Sequence, residues 1–267
     1  MTIRRTWIGL TYLVFALLLI GPLVKILLGA WENGAQGLID GLMRPEALHA
    51  LMMTGIIVVV VTLLNTGFGV MLALYLVRAQ WIGPRMKRLL NSIVDLPFAV
   101  SPVIGGLMIV LLLGPQTVMG ALFEDAGFKI VYALPGMILA TLFVTFPIMV
   151  REVMPVLQEI GAQQEEAAST LGAYSWYTFW KVTWPSIRWG VIYGVVLTVA
   201  RSLGEFGAVL VVSGNIMNKT QTATTLVYQD VENFNVVAAN GIALVLAAFS
   251  VGLLLLMEWA KKRKEVH

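Results

Sequence analysis

The stretch EAASTLG occupies residues 166–172, and the stretch VTWP follows nine residues later, at residues 182–185. The first stretch is rich in small and helix-forming residues, and its glycine marks the end of that helix. The nine residues between the two stretches are rich in aromatic side chains, and a proline closes the second stretch. Both lie in segment 151–188, between long apolar runs. An ordered segment in that position indicates a docking element for another molecule.

The composition around this segment is that of an integral membrane protein. Of the 267 residues, 58% are hydrophobic and 12% are charged, and the mean hydropathy is +0.84, which lies outside the range of soluble domains. Six apolar runs are long enough to cross a bilayer, which takes about 20 helical residues. We predict an all-α integral membrane protein, one domain over residues 1–267, with six transmembrane helices at 7–28, 51–77, 89–113, 132–150, 189–213 and 236–257.

The positive charges predict the orientation in the membrane. Outside the predicted spans, 13 Lys and Arg residues lie in the N-terminus, the 78–88 loop, the 151–188 loop and the C-terminus, and three lie in the other loops. The positive-inside rule therefore places both termini and the 151–188 loop in the cytoplasm. The basic balance is explained by topology and by contact with anionic membrane lipid, so it requires no nucleic-acid partner.

Several kinds of chemistry are excluded by missing residue types. The chain has no cysteine, and its two histidines, His49 and His267, are too few to build a metal centre. It has no Gly-Lys dipeptide, so it lacks a Walker A phosphate loop. We therefore predict no catalytic residue, no metal site and no cofactor bound by this chain. If ATP drives the protein, another chain hydrolyses it.

The 151–188 segment reads as a helical hairpin. Residues 162–171 favour helix, and Gly172 stands where a helix ends in the left-handed conformation. Ser175 is expected to cap a second short helix, which Pro185 is expected to end. One interpretation is a coupling helix, with Ala167 and Ala168 small enough to approach a partner closely. The alternative is an interfacial hairpin whose aromatic side chains lie among lipid headgroups.

Apart from Lys25 in the first span, three charged residues lie well inside predicted spans: Asp95, Arg201 and Glu205. A charge at the centre of a membrane helix costs about 2.5 kcal/mol or more, so each is a functional candidate. Arg201 and Glu205 are four residues apart on one predicted helix face, where they either pair with each other or line a transport path. Asp95 is about 9 Å from the cytoplasmic end at helical rise, and it can reach the interface.

The third span is irregular because DLPFAVSPVIGG, at residues 95–106, contains two prolines and a glycine pair. Broken backbone is tolerated in a membrane where it is buried in protein or lines a cavity. A kinked packing helix is the alternative. The hydroxyl of Ser101, next to Pro102, is suited to satisfy a freed carbonyl or to donate to an oxyanion.

The spacing of the opening motif resembles the "EAA" loop of ABC importer permeases: Glu-Ala-Ala, three residues, Gly, nine residues, then an aliphatic residue, any residue, an apolar residue and Pro. Val182 stands where Ile is usual, and Trp184 replaces the usual Leu. RSLGEFGA at residues 201–208, together with DLPFAVSP at residues 95–102, resembles the sulfate/thiosulfate permease subunits and their molybdate relatives. The resemblance runs from about residue 51 to the C-terminus and is weak in the first span.

The resemblance implies a type I ABC importer permease in the inner membrane of a bacterium, with a cytoplasmic helical coupling loop. It implies as partners a homologous second permease subunit, a cytoplasmic dimer of ATP-binding subunits that holds ATP and magnesium, and a periplasmic sulfate/thiosulfate-binding protein. On this reading the residues that couple to the ATPase are Glu166, Ala167, Ala168, Gly172 and Pro185. The candidate residues of an anion path or gate are Arg201, Glu205, Phe206, Ser101, Pro102 and Asp95.

Three alternatives remain open from the sequence. The transported anion of such an importer is sulfate, thiosulfate, molybdate, tungstate or another oxyanion. A secondary transporter would place an ion-coupled site at the broken third span and Glu205. An intramembrane enzyme is disfavoured, because no predicted span contains His or Cys.

Overall fold

All regular structure found in the described residues is helical, which confirms the all-α prediction. The computed structural model describes residues 2–79 and 81–265, with the side chains of residues 7–79 and 81–259. The helices, in chain order, are α1 (Thr2–Ala30), α2 (Gly34–Leu42), α3 (Pro45–Arg78), α4 (Pro84–Ala99), α5 (Pro102–Leu113), α6 (Val118–Asp125), α7 (Leu134–Ile160), α8 (Gln163–Thr170), α9 (Ser175–Thr178), α10 (Trp184–Leu203), α11 (Gly207–Ser213), α12 (Ala223–Glu232) and α13 (Val236–Glu265). A π-helical turn, Phe179–Thr183, joins α9 to α10.

Five of the described helical stretches are long and apolar enough to cross a membrane, and the bent pair of α4 and α5 makes a sixth if the two helices count as one span. The irregularity predicted for the third span, at 89–113, is present in the structure, where α4 and α5 meet at 109°. The bend lies at Val100 and Ser101, whose backbones are not helical. Pro102 explains the break, since its ring disfavours helical conformation at the preceding residue and it has no N–H to donate.

The predicted span at 189–213 is also broken. Helix α10 ends at Leu203, residues 204–206 are not helical, and α11 resumes at Gly207. At its other end the span begins earlier than predicted. Pro185 does not end a helix: it is the second residue of α10, and the chain is helical on both sides of it, from Ser175 to Leu203. The preceding π turn, in which the Trp184 N–H bonds to the Phe179 carbonyl, carries α9 into α10 without interruption.

The predicted loop 151–188 is shorter in the structure. Helix α7 continues to Ile160, and the segment between α7 and α10 runs from 161 to 183. The reason is packing: Val153, Met154 and Leu157 are buried in a core cluster with residues of α3 and α10. Ser175 is not a cap either, since Tyr174 precedes α9 and no side chain caps that helix.

The three long helices α3, α7 and α10 form the centre of the molecule. Their largest buried cluster includes residues of all three helices and of α4: Val70, Ala73, Leu76, Val94, Met149, Val150, Val153, Met154, Leu157, Ile187 and Val191. Two glycines allow this close packing, because a Cβ at Gly69 or Gly194 would lie 2.6 Å from an atom of Met149. Helix α1 packs on α13 and leaves most of its apolar side chains exposed, as a lipid-facing or subunit-facing helix does.

The two broken spans pack against each other, α5 on α11. A Cβ at Gly106 would lie 2.6 Å from the carbonyl oxygen of Ala208, and a Cβ at Gly207 would lie 2.9 Å from Cγ2 of Val103. Small residues permit such backbone contact between membrane helices. The helices that follow the two breaks, α5 and α11, therefore lie against each other, which places the breaks side by side in the fold.

We expect Gly106→Ala to destabilise the protein by about 1–3 kcal/mol, the usual cost of overpacking. The added methyl group would meet the backbone of Ala208, which cannot rotate away. The measurement is the unfolding of the purified protein in detergent. The matched control is Gly55→Ala in α3, where a Cβ meets nothing within 4 Å, so the higher helix propensity of alanine should leave stability equal or improved. Equal stability of the two variants would show that α5 and α11 do not depend on this contact.

Candidate functional site

The break between α10 and α11 holds a buried carboxylate. The side chain of Glu205 is 2% exposed, and its Oε2 lies 2.8 Å from Nη1 of Arg201. Its Oε1 accepts a hydrogen bond from the Ala208 N–H at 3.2 Å. The predicted pairing of Arg201 with Glu205 is thus confirmed, but Glu205 lies beyond the end of α10 and not on its face. Since Arg201 is 38% exposed, the pair has one sealed end and one open end.

Helix α12 closes over this break. The Thr224 hydroxyl donates to the carbonyl oxygen of Glu205 at 2.6 Å. The ring of Phe206 packs at a tilt against Tyr228, with centroids 5.2 Å apart. The Tyr228 hydroxyl in turn donates to Glu232 at 2.5 Å, and this hydrogen bond to a carboxylate raises the pKa of Tyr228. Side chains of α12, which lies outside the broken span, therefore hold the break between α10 and α11 in place.

Helix α12 is itself anchored at its far end. Asp230 accepts two hydrogen bonds from the guanidinium of Arg44, at 3.1 and 2.5 Å, and Arg44 also donates to the Gly41 carbonyl. This carboxylate raises the pKa of Arg44. The contact ties α12 to the junction of α2 and α3, so the element that covers Glu205 has a fixed position.

Ser101 and Pro102 stand at the other break. Ser101 is exposed and its side chain does not cap α5, while its carbonyl accepts the Gly105 N–H at 3.0 Å. Pro102 lies next to α11, with its Cβ 3.6 Å from the Cβ position of Gly207. The structure therefore brings Pro102 to the start of α11, directly after Phe206, and leaves the Ser101 hydroxyl accessible.

Asp95 does not stand alone at an interface. Arg151 donates from Nε to Oδ1 of Asp95 at 2.8 Å and from Nη2 to Oδ2, which joins α4 to α7. Both side chains are partly exposed. Within the described residues, no ion pair links Asp95 to Arg201 or Glu205, so it forms a separate element.

The sequence reading missed a set of buried polar residues in the helical core. Asn65 of α3 is fully buried and donates to the Thr145 hydroxyl of α7 at 2.7 Å. In the part of the chain that the structure describes, the other amide atom of Asn65 and the hydroxyls of Thr198 and Ser202 have no hydrogen-bond partner. Such groups are rare in cores and call for an explanation. Thr198 and Ser202 lie one turn apart on α10, between its middle and Glu205. The sequence alone does not single these residues out, because an isolated Asn, Ser or Thr in an apolar run is a weak indication of a functional site.

Helix α8 ends in a Schellman motif at Gly172, which confirms the predicted left-handed glycine. Gly172 has φ +83°, its N–H bonds to the Ser169 carbonyl, and the Ala173 N–H bonds to the Ala168 carbonyl. Of the predicted docking residues, Glu166, Ala167 and Pro185 are exposed and Ala168 is half-buried. A Cβ at Gly172 would meet no atom within 4 Å, so only the backbone requires this glycine.

The aromatic residues after this turn form one cluster. The rings of Trp176, Phe179, Trp180 and Trp184 contact one another edge-on or at a tilt, with centroids 5.2 to 6.5 Å apart. Trp176 remains 72% exposed and Tyr177 57% exposed. The cluster stiffens the segment and leaves aromatic surface available to lipid or to a partner.

Among the described side chains, no group of three or more His, Asp or Glu is placed to hold a metal ion. His267 lies outside the described residues. Six of the charges that predict the orientation belong to side chains that are also outside them: Arg4, Arg5, Lys261, Lys262, Arg263 and Lys264.

Comparison with known proteins gives a consistent result. The model of the family described as "Binding-protein-dependent transport system inner membrane component" matches residues 65–265. The chain is 45% identical over 260 residues to the sulfate transport system permease protein CysW of Synechocystis sp., covering 97% of this chain and 92% of the relative. It is 38% identical to CysW of Escherichia coli K12 and 33% identical to CysT of the same organism, covering 97% and 92% of this chain and 89% and 88% of those relatives.

Solved structures show the same fold. The chain is similar to a chain of a bacterial ABC transporter involved in the import of alginate, with a TM-score of 0.77 and 18% identity, covering 98% of this chain and 97% of the other. A second structure, that transporter in complex with its alginate pentasaccharide-bound periplasmic protein, matches with a TM-score of 0.76 and 17% identity, covering 98% and 96%. At this level of identity the likeness concerns the fold.

We expect the Arg201–Glu205 pair to show strong coupling in a double-mutant cycle. Arg201→Ala leaves a nearly sealed carboxylate without its counter-charge and should cost about 3–5 kcal/mol of stability in detergent. Glu205→Ala should cost less, because the remaining Arg201 is open to its surroundings. The double alanine variant should be more stable than the sum of the single losses implies. Arg188→Ala, an exposed arginine on the same helix, is the control. Simple additivity would contradict the pairing.

Proposed function

The chain belongs to the family of binding-protein-dependent transport system inner membrane components, and from that premise we propose that it is the permease subunit of an ABC importer for sulfate. The observation that carries the proposal is its 45% identity to a sulfate permease protein over 97% of this chain. Because that match spans nearly the whole of both chains, it covers the spans, both breaks and the loop. Membership of this family makes the chain an inner-membrane transport component.

We assign the chain to the CysW-type half of the importer. The two permease proteins of one organism, Escherichia coli K12, allow a like-for-like comparison, and the identity to CysW exceeds the identity to CysT by five percentage points, 38% against 33%. A second, CysT-like permease subunit is then the proposed partner within the membrane. The exposed apolar faces of α1 and α5 supply surface for such a contact and for lipid.

The segment 161–183 is the proposed contact with the ATP-binding subunits. Helix α8 presents Glu166 and Ala167 at the surface, and the glycine turn at Gly172 fixes where the helix ends. The proposed ATPase dimer would hold ATP and magnesium, since this chain has no phosphate loop. The positive-inside charge pattern supports a cytoplasmic position for this segment and for both termini.

The opposite end of the molecule is the proposed contact with a periplasmic sulfate- or thiosulfate-binding protein. Helices α2, α6 and α12 lie between spans at that end, and Phe234, just after α12, is 91% exposed. The relative of known structure in complex with a periplasmic protein has the same fold, which supports the general arrangement.

The meeting point of the two breaks is the proposed anion path. Ser101 and Pro102 at one break, and Arg201, Glu205 and Phe206 at the other, combine an accessible hydroxyl with a guanidinium that is only partly neutralised by a buried carboxylate. A paired arginine can attract a divalent oxyanion without holding it as tightly as a lone charge would, because the carboxylate offsets part of its field. The ion pair of Asp95 and Arg151 is proposed to act as a separate gate element between α4 and α7.

The test is uptake of labelled anion into right-side-out vesicles that contain the chain with its partner subunits, with ATP enclosed and the binding protein added outside. We expect uptake of sulfate that requires ATP and persists when ion gradients are collapsed. Thiosulfate and molybdate, added unlabelled, report specificity by competition. Vesicles with an ATPase-dead partner subunit are the control. Uptake that depends on an ion gradient and not on ATP would contradict the proposal and indicate a secondary transporter. Uptake of molybdate in preference to sulfate would indicate a molybdate permease instead of a sulfate permease.

A further inference from the structure

An ion pair ties α8 to the end of the longest helix of the molecule. Arg78, the last residue of α3, donates from Nε to Oε2 of Glu165 at 2.8 Å and from Nη2 to Oε1 of Glu165 at 3.3 Å. The two side chains are 21% and 22% exposed, so water screens the pair only in part. A two-point contact between a guanidinium and a carboxylate fixes orientation as well as distance.

The same guanidinium holds the end of α7. Nη1 of Arg78 donates to the Leu157 carbonyl at 3.2 Å, and Nη2 donates to the Gly161 carbonyl at 2.6 Å. Carbonyls in the last turn of a helix lack partners within the helix, and a cation there is favourable to the helix dipole. One side chain of α3 therefore joins α3, α7 and α8.

Glu165 completes the junction on the side of α10. Its Oε1 accepts a hydrogen bond at 2.9 Å from the hydroxyl of Thr183, the residue directly before α10. Among the α8 side chains that the structure describes, Glu165 is the one hydrogen-bonded to another helix or turn. The neighbouring Glu166 is exposed and makes no ion pair within the described part of the chain.

We propose that Glu165 is the positioning residue through which movement of α8 reaches α3, α7 and α10, while Glu166 and Ala167 face the partner. This rests on the proposed function, because it divides the roles within the segment that docks the ATP-binding subunit. The physical reason is that α8 has only eight residues and is marginal as an isolated helix. Its displacement is passed to the three central helices only through contacts that resist shear, and the Arg78–Glu165 pair with its two captured carbonyls is such a contact.

The matched variants are Glu165→Gln and Glu166→Gln, which make the same change at adjacent positions. Glutamine keeps an acceptor for Thr183 but removes the charge that Arg78 binds. In the full complex of both permease subunits, ATP-binding subunits and sulfate-loaded binding protein, we expect Glu165→Gln to lower the stimulation of ATP hydrolysis by the loaded binding protein by about fivefold or more, while the ATP-binding subunit still copurifies. We expect Glu166→Gln to weaken copurification instead.

Two further measurements separate positioning from general stability. The first is a double-mutant cycle of Arg78→Gln, Glu165→Gln and their combination. The double variant should lose no more of the stimulation of ATP hydrolysis than the more impaired single variant does. The chain contains no cysteine, so spin labels at Ser169→Cys in α8 and Met71→Cys in α3 report one distance. In the otherwise unaltered complex this distance should stay constant between nucleotide-free and ATP-bound states, and in Glu165→Gln it should broaden or change with nucleotide.

The outcomes divide clearly. Normal stimulation in Glu165→Gln, additive losses in the cycle, or a distance that the variant leaves unchanged would each overturn the role of Glu165. Loss of the ATP-binding subunit from Glu165→Gln, with the label distance unchanged, would also overturn it, because Glu165 would then be a docking contact. Failure of the unaltered complex to transport sulfate or to be stimulated by the loaded binding protein would overturn the proposed function.

Discussion

A membrane has no water to satisfy interrupted backbone, so a span that breaks must bury the break in protein or open it to a cavity. This chain breaks two spans, between α4 and α5 and between α10 and α11, and it packs the two breaks together through Gly106 and Gly207. The remaining architecture follows from this contact. Helix α12 must cover Glu205, and the Arg44–Asp230 pair must hold α12 in place.

Charge within the apolar layer obeys a similar constraint. Asp95 is paired with Arg151, and Glu205 with Arg201, so both of these carboxylates have a guanidinium beside them. Pairing reduces the cost of burial and leaves a polar, nearly neutral surface. Such a surface suits a proposed route for a divalent anion, which must enter and also leave. The Arg78–Glu165 pair joins α3 and α8 at the end of α7, and it is our proposed link between this route and the ATP-binding subunit.

The number of spans, the helical class and the left-handed Gly172 could be predicted from the sequence, because apolar run length and glycine position act locally. The bounds of the third and fifth spans could not, since hydropathy averages over a break of two or three residues. Residues 151–160 carry Arg151 and Glu152 and read as loop, yet Val153 and Leu157 hold them in α7 by tertiary packing. The partners of Asp95 and Glu165 lie 56 and 87 residues away in the chain, so no local sequence pattern predicts these ion pairs. The pairing of Arg201 with Glu205 could be predicted because the two residues are only four positions apart in the chain.

The central claim, that the two breaks meet beside a water-filled route, is tested most directly by thiol accessibility in the assembled complex. Ser101→Cys would carry the only thiol of this chain, and Leu111→Cys, 68% exposed on the apolar face of α5, is the matched control. The account predicts that a membrane-impermeant maleimide labels Ser101→Cys in at least one nucleotide state, that sulfate slows this labelling, and that Leu111→Cys stays unlabelled. If Ser101→Cys is as unreactive as Leu111→Cys in every state, the third span is a kinked packing helix and the proposed route is wrong.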